Sequence, residues 1–375
     1  MPRGFFFVSA FANFSFMDHS AKISRIFEFD IIRVLAMFWV VTYHFGCEYS
    51  FGPFSPIVNF FCVTPNFDFG NVAVTMFLVL SGALLYRKYG NGNVGGLPAF
   101  YFKRAKAIYP PFWILNLYVL LAMVRHWISD GSPFFAGNPL KLLLTFSGVD
   151  GYLKLFDYES YYFCGEWFVA AIILLYLLFP FLAWAYKKNR VALLVVLGFS
   201  YGLQFVWPNS WLWDISVFPA TLMLKFVLGF LLMDLLPRLR SPSVKWVSLV
   251  VFLGLSLVML PVGIIKNDLL GSVAGIAVFL GVLNFGGRVK ESSLVWKTVQ
   301  KLAPLTYCVF LIQHIAIVWL QMAFVKALGR PAVEFSAPLC LAILAATLGV
   351  ILVAAYVLKL VSDKVVKFAE SKFLS

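Results

Sequence analysis

Residues 29–45 read FDIIRVLAMFWVVTYHF. With its flanks the run occupies about 28–46, close to the roughly 20 mainly apolar residues that a helix needs to cross a bilayer. Asp30, Arg33 and His44 are its charged or readily titratable residues, and such groups are costly in hydrocarbon unless they face protein or water. Arg33 and His44 are eleven positions apart, which at about 100° per residue brings them back to within about 20° of one face. At about 1.5 Å rise per residue they stand roughly 16 Å apart along the axis. Asp30 shares that face three residues before Arg33, a spacing that allows an ion pair. One stripe of an apolar helix therefore carries a cation near one end and an imidazole near the other.

Nine more apolar runs follow, bounded by charge or by Gly/Pro clusters, near 69–86, 107–126, 166–185, 191–207, 216–235, 246–263, 268–286, 303–324 and 337–358. The composition agrees. Of 375 residues, 62% are apolar, 18% aromatic and 13% charged, with a mean hydropathy of +0.88. Soluble domains hold about 45–50% apolar and about 25% charged residues, so a soluble enzyme, a disordered chain and a collagen-like fibre are excluded. An outer-membrane barrel is excluded too, because its strands alternate in short segments instead of running apolar for about 18 residues or more. The expected fold class is all-α, a polytopic helical membrane protein of about ten transmembrane helices.

A net charge of +13 would suggest nucleic acid as partner in a soluble protein. Its distribution argues for the lipid bilayer instead. With a cytoplasmic N-terminus, 23 of the 30 Lys and Arg residues fall in inside segments and six outside, and Lys225 lies within a span. That is the positive-inside pattern. The organisation expected is a cytoplasmic N-terminal extension over 1–27, a ten-helix domain over 28–358 and a cytoplasmic tail over 359–375. Phe5–Phe16 reads as an interfacial part of the extension, and the outer loop 127–165 as an external cap over a site. The five cysteines have no metal-binding spacing. One disulfide among Cys47, Cys62 and Cys164 on the outer side, or unpaired small hydrophobes, both fit.

The roughly 16 Å between Arg33 and His44 matches an extended pantetheine arm, anionic at its nucleotide end and carrying an acyl thioester at its tip. Arg33, ten residues and His44 also look like the signature of the acyltransferase-3 family of integral-membrane O-acyltransferases. Further stretches resemble the family in order: NVAVTMFLVLSGALLY (71–86) with its Ser81-Gly82 pair, FYFKRAKAIYPPF (100–112), GEWFVAAIILLYLLFP (165–180), FPATLMLKFVLGFLL (218–232) and LTYCVFLIQHIAI (305–317). Two departures stand out. Many members carry two arginines three apart before Ile-Tyr-Pro, whereas Arg104 is followed by Ala107 with Lys103 and Lys106 alongside, keeping charge but not paired guanidinium geometry. Many also carry acidic residues shortly after Trp-Phe, where this chain has Ile172 and Ile173, and Glu166 precedes Trp167 instead. The chain resembles the short form without a fused soluble domain.

The resemblance implies an acyltransferase that takes an acyl group, acetyl in the first instance, from cytoplasmic acyl-CoA and esterifies a hydroxyl of a surface carbohydrate, in a bacterial inner membrane. No metal is implied. His44 would be general base or transient acyl carrier; Arg33, Lys103, Arg104 and Lys106 would hold the donor's phosphates. Asp30, Ser81, Glu166, Trp167 and His314 would support or bind substrate. Each also has a structural use: Arg33 as a snorkelling anchor, the 103–106 cations as headgroup contacts, Ser81-Gly82 as helix packing, Trp167 as a belt residue, and both histidines as hydrogen-bonded ties. A transporter or flippase of a polysaccharide unit is the competing class. It lacks support from an inverted repeat or paired broken helices.

Overall fold

The computed structural model describes residues 25–49, 63–90, 96–130, 138–153, 161, 164, 166–206, 217–258 and 266–373. Twelve helices occur among them: α1 (Phe27–Tyr49), α2 (Phe69–Tyr89), α3 (Leu97–Asp130), α4 (Leu142–Ser147), α5 (Asp150–Leu153), α6 (Glu166–Val206), α7 (Pro219–Leu239), α8 (Pro242–Leu257), α9 (Gly271–Phe285), α10 (Leu294–Leu302), α11 (Thr306–Leu328) and α12 (Ala337–Phe373). No strand is present among these residues; the one extended pairing is an isolated bridge between Val63 and Asp68. The protein is an all-α polytopic membrane protein. Phe5–Phe16 and Cys62 lie outside the described residues.

Local chemistry sets several boundaries. The Asp68 carboxylate accepts from the Asn71 backbone N–H at 2.6 Å and starts α2, while Arg87 and Lys88 in its last turn complement the helix dipole. Ser241 caps α8 with Pro242 behind it, the favoured first-turn place for proline. Gly329 ends α11 at φ +64°, a left-handed position that a side chain would strain.

Among the described residues, eight helices are long and apolar enough to cross a membrane, and Pro242–Leu257 is a shorter apolar one. The longest, α6, is two spans. Asn189 has extended backbone (φ −159°, ψ 91°), and contacts on either side show that the chain turns back there. Phe179 meets Phe226 of α7, Tyr186 donates to Asp234 of α7, and Arg190 pairs with Asp234 at 3.5 Å. Tyr201 then reaches Asp268, which pairs with Lys225 of α7, level with Phe226. Dividing α6 at Asn189 and including α8 recovers the ten expected segments, though α3 begins ten residues earlier than expected and α12 continues as helix through Phe373.

Contacts gather the ends into two groups. At one end, Glu28 (start of α1) meets Arg240 after α7 at 3.0 Å, Phe27 stacks on Trp296 of α10, and Lys106 near the start of α3 pairs with Glu370 near the end of α12 at 2.6 Å. At the other, Asn66 donates to the Leu255 and Val258 carbonyls, and Gln321 of α11 donates to the Glu48 carbonyl at the end of α1.

The tightest helix contact is α2 against α7. A Cβ on Gly82 would fall 1.9 Å from the Phe226 carbonyl oxygen, and one on Gly229 would fall 2.2 Å from that of Val79. Only glycine lets the two backbones approach so closely, the small-residue packing that replaces the hydrophobic effect in lipid.

The segment between α3 and α6, expected as an external cap, is re-entrant over its described part. The Trp113 indole donates to the Phe146 carbonyl at 2.7 Å and the Tyr109 hydroxyl to the Ser147 carbonyl at 3.1 Å. Both donors lie in the first half of α3, far from the end where the segment leaves it. Backbone outside regular helix survives at such depth only when protein covers it. Gly148 accordingly wedges against Ile173, Val169 and Phe112, and Asp150 and Thr145 are buried.

Candidate functional site

The site is built from five spans. A cavity of about 410 Å³ is lined by Arg33 of α1, Ser81 and Lys88 of α2, Arg104 of α3, Tyr176 of α6 and Thr306 and Tyr307 of α11, with an apolar remainder from α2, α3, α6 and α11. Lys88 is eleven residues past Phe77 on α2, roughly 16 Å along the axis, and both line the cavity. Its cations therefore lie toward one end, and Phe77, Phe168 and Phe310 toward the other. Those three rings, from three helices, stand 5.0 and 6.0 Å apart between centroids.

Each cation is held differently. Asp30, buried, bridges Arg25 at 2.5 Å and Arg33 at 3.6 Å, so one carboxylate orients the Arg33 guanidinium and leaves donors for a ligand. The Arg104 guanidinium is ringed by aromatics, 5.8 Å from Phe100, 5.9 Å from Tyr176 and 6.0 Å from Tyr89. Its buried Nε has no hydrogen-bond partner. A guanidinium that lines a cavity and keeps an unsatisfied donor suits an anionic ligand. Tyr307 is fixed by donating to the Ile108 carbonyl at 3.1 Å.

Beyond Phe310, one turn along α11, stands His314, its ring 5.2 Å from that of His44. Nε2 of His314 lies 3.6 Å from Oε1 of Glu48. The two histidines, 270 positions apart in sequence, thus form one cluster at the end of the bundle opposite the cations.

Other candidates are placed elsewhere. Lys106 pairs with Glu370, and neither it nor Lys103 lines the cavity. The reason is angular, since successive helical residues differ by about 100° and only Arg104 of the three points inward. Trp167 turns its ring edge to Phe168 and leaves the cavity wall to that neighbour. Glu166 begins α6, and its side chain lies outside the described residues. Ser81 lines the cavity while adjacent Gly82 makes the helix contact, so the Ser-Gly pair serves two faces. Ile172 lines the cavity. Lys88, Tyr176, Tyr307 and Glu48 were not singled out from sequence. Only a map of helix neighbours joins them to the site, although Glu48, four residues after His44, carried a spacing signal.

Cys164 is a free thiol. Burial, with the Asp150 charge adding to it, pushes that thiol far above its ordinary value, which removes it as a nucleophile.

The Acyltransferase domain of the acyltransferase-3 family matches residues 26–358. The chain belongs to that family. It is therefore a membrane O-acyltransferase in general terms, and the match takes in the cation-lined cavity and both histidines. No curated protein and no solved structure matches the chain.

Proposed function

We propose that this acyltransferase takes an acyl group, acetyl in the first instance, from acyl-CoA entering at the Arg33 end and transfers it to a carbohydrate hydroxyl at the His44 end. The observation that carries this reading is Arg104, which lines the same cavity as Arg33 and Lys88 and whose buried Nε has no hydrogen-bond partner. These cations suit the phosphates of CoA. The apolar length from Lys88 to Phe77 suits the pantetheine arm, and His44 lies beyond it.

In the proposed transfer His44 acts as general base. Its neutral imidazole accepts the hydroxyl proton as the oxygen attacks the thioester carbonyl. The tetrahedral intermediate collapses with cleavage of the carbon–sulfur bond, and the thiolate leaves with the proton from His44. The products are an ester and free CoA. The positive-inside pattern supports a cationic mouth in the cytoplasm with the histidines outside, so transfer would carry an acyl group across the membrane to an envelope glycan.

Purified protein given radiolabelled acetyl-CoA and an envelope glycan preparation tests this. Equal amounts of CoA released and label esterified are expected. Glycan movement without CoA release would instead establish transport and overturn the reading.

A further inference from the structure

Glu48 is a charged group beside the proposed base that the transfer mechanism has not used. It follows His44 by four residues on α1, so the two side chains rise from one face. Across the helix boundary its Oε1 lies 3.6 Å from Nε2 of His314, and the His314 ring is 5.2 Å from that of His44. One carboxylate therefore stands beside two imidazoles from two helices. Its backbone is anchored, because Gln321 donates to the Glu48 carbonyl. The side chains of His314 and Glu48 are 43% and 32% exposed, which leaves the cluster open to an incoming hydroxyl. The facing stretches of α9 (271–285) and α12 (337–355) carry no charged residue. Tyr43 adjoins His44 on α1, and Asp68 at the start of α2 packs with Tyr43 against Gly70.

We infer that Glu48 is a positioning residue for the acyl transfer proposed above. The carboxylate fixes the His314 ring, and that ring braces His44 as it takes the hydroxyl proton. This is the base-and-orienter logic of catalytic triads, assembled from two membrane helices. The inference rests on the transfer reading.

The test uses the full-length purified chain with acetyl-CoA as donor and a methyl glycoside as hydroxyl acceptor. Glu48→Gln should lower kcat by about tenfold or more, the lower part of the range for proton-transfer assistance, with KM for acetyl-CoA unchanged. Glu48→Asp should recover part of the loss. Because the effect passes through His314, adding Glu48→Gln to His314→Gln should cost little beyond His314→Gln alone. Parental kcat in a folded Glu48→Gln chain, or losses that multiply independently in the double variant, would overturn the inference and leave the transfer reading intact. A parent chain that cleaves no acetyl-CoA would instead sink the transfer reading, and the role of Glu48 with it.

Discussion

Two regions place charge inside the bundle, and they differ in how that charge is satisfied. Lys225 and Asp268, with side chains 4% and 3% exposed, are 2.7 Å apart. Asn71 accepts from Lys225 at 3.4 Å, and Tyr201 donates to Asp268 at 2.7 Å. The four residues, from four elements, complete one another and do not line the site cavity. Arg33 and Arg104 instead face about 410 Å³ of open space, Arg33 sharing Asp30 with Arg25 and Arg104 leaving Nε unpaired. An ionisable residue in a membrane helix marks function by default. Here the accounting of partners separates the tie from the site.

The comparison can be broken at four points. The largest expected effect is at the tie. Lys225→Met strands Asp268 and should destabilise the bundle by about 3–5 kcal/mol, whereas pairing it with Asp268→Leu should recover most of that stability. Thermal unfolding in detergent measures both, and a double variant as unstable as the single would show that the pair is not a self-contained tie. Next comes the far end of the site. His44→Gln should lose acyl transfer by about 100-fold or more with unfolding unchanged; an active His44→Gln chain would make the histidine a structural tie as well.

Smaller effects are expected at the mouth. Arg104→Gln removes a charged donor from the cavity and should weaken acyl-CoA binding by about tenfold, the scale of one charge-assisted hydrogen bond. Isothermal titration with acetyl-CoA reads this, and unaltered affinity would remove Arg104 from the donor site. Lys106→Ala breaks only a half-exposed ion pair with Glu370 and should change stability by under about 1 kcal/mol with donor affinity untouched. A Lys106 effect as large as that of Arg104 would erase the distinction between the two cations.

Much of this was legible along the chain. The Arg33–His44 stripe follows from helical geometry. The reversal at Asn189 falls between two expected spans, because Lys187, Lys188 and Arg190 interrupt the apolar run there. Lys103, Arg104 and Lys106 were not separable by composition. All three are cations within one turn, and the difference lies in which neighbour each direction meets: Glu370 for Lys106, the cavity and its aromatic rings for Arg104. The described part of the 127–165 loop packs against the first half of α3, a depth that hydropathy does not give, because it records how polar a segment is and not whether other helices cover it. The Tyr109 and Trp113 donors satisfy the Ser147 and Phe146 carbonyls there.

The sequence by itself determined the solvent, the helical class, the spans and the one-helix pairing of Arg33 with His44, because those properties depend on local composition and a fixed rotation per residue. Only the tertiary structure decided the cavity, the union of His44 with His314 and Glu48, and the closure of Lys225 on Asp268. Such contacts depend on the relative rotation and height of separate helices. In lipid, small-residue contacts such as Gly82 against Phe226 and Gly229 against Val79 help set those positions, and apolar periodicity within any single span does not specify them.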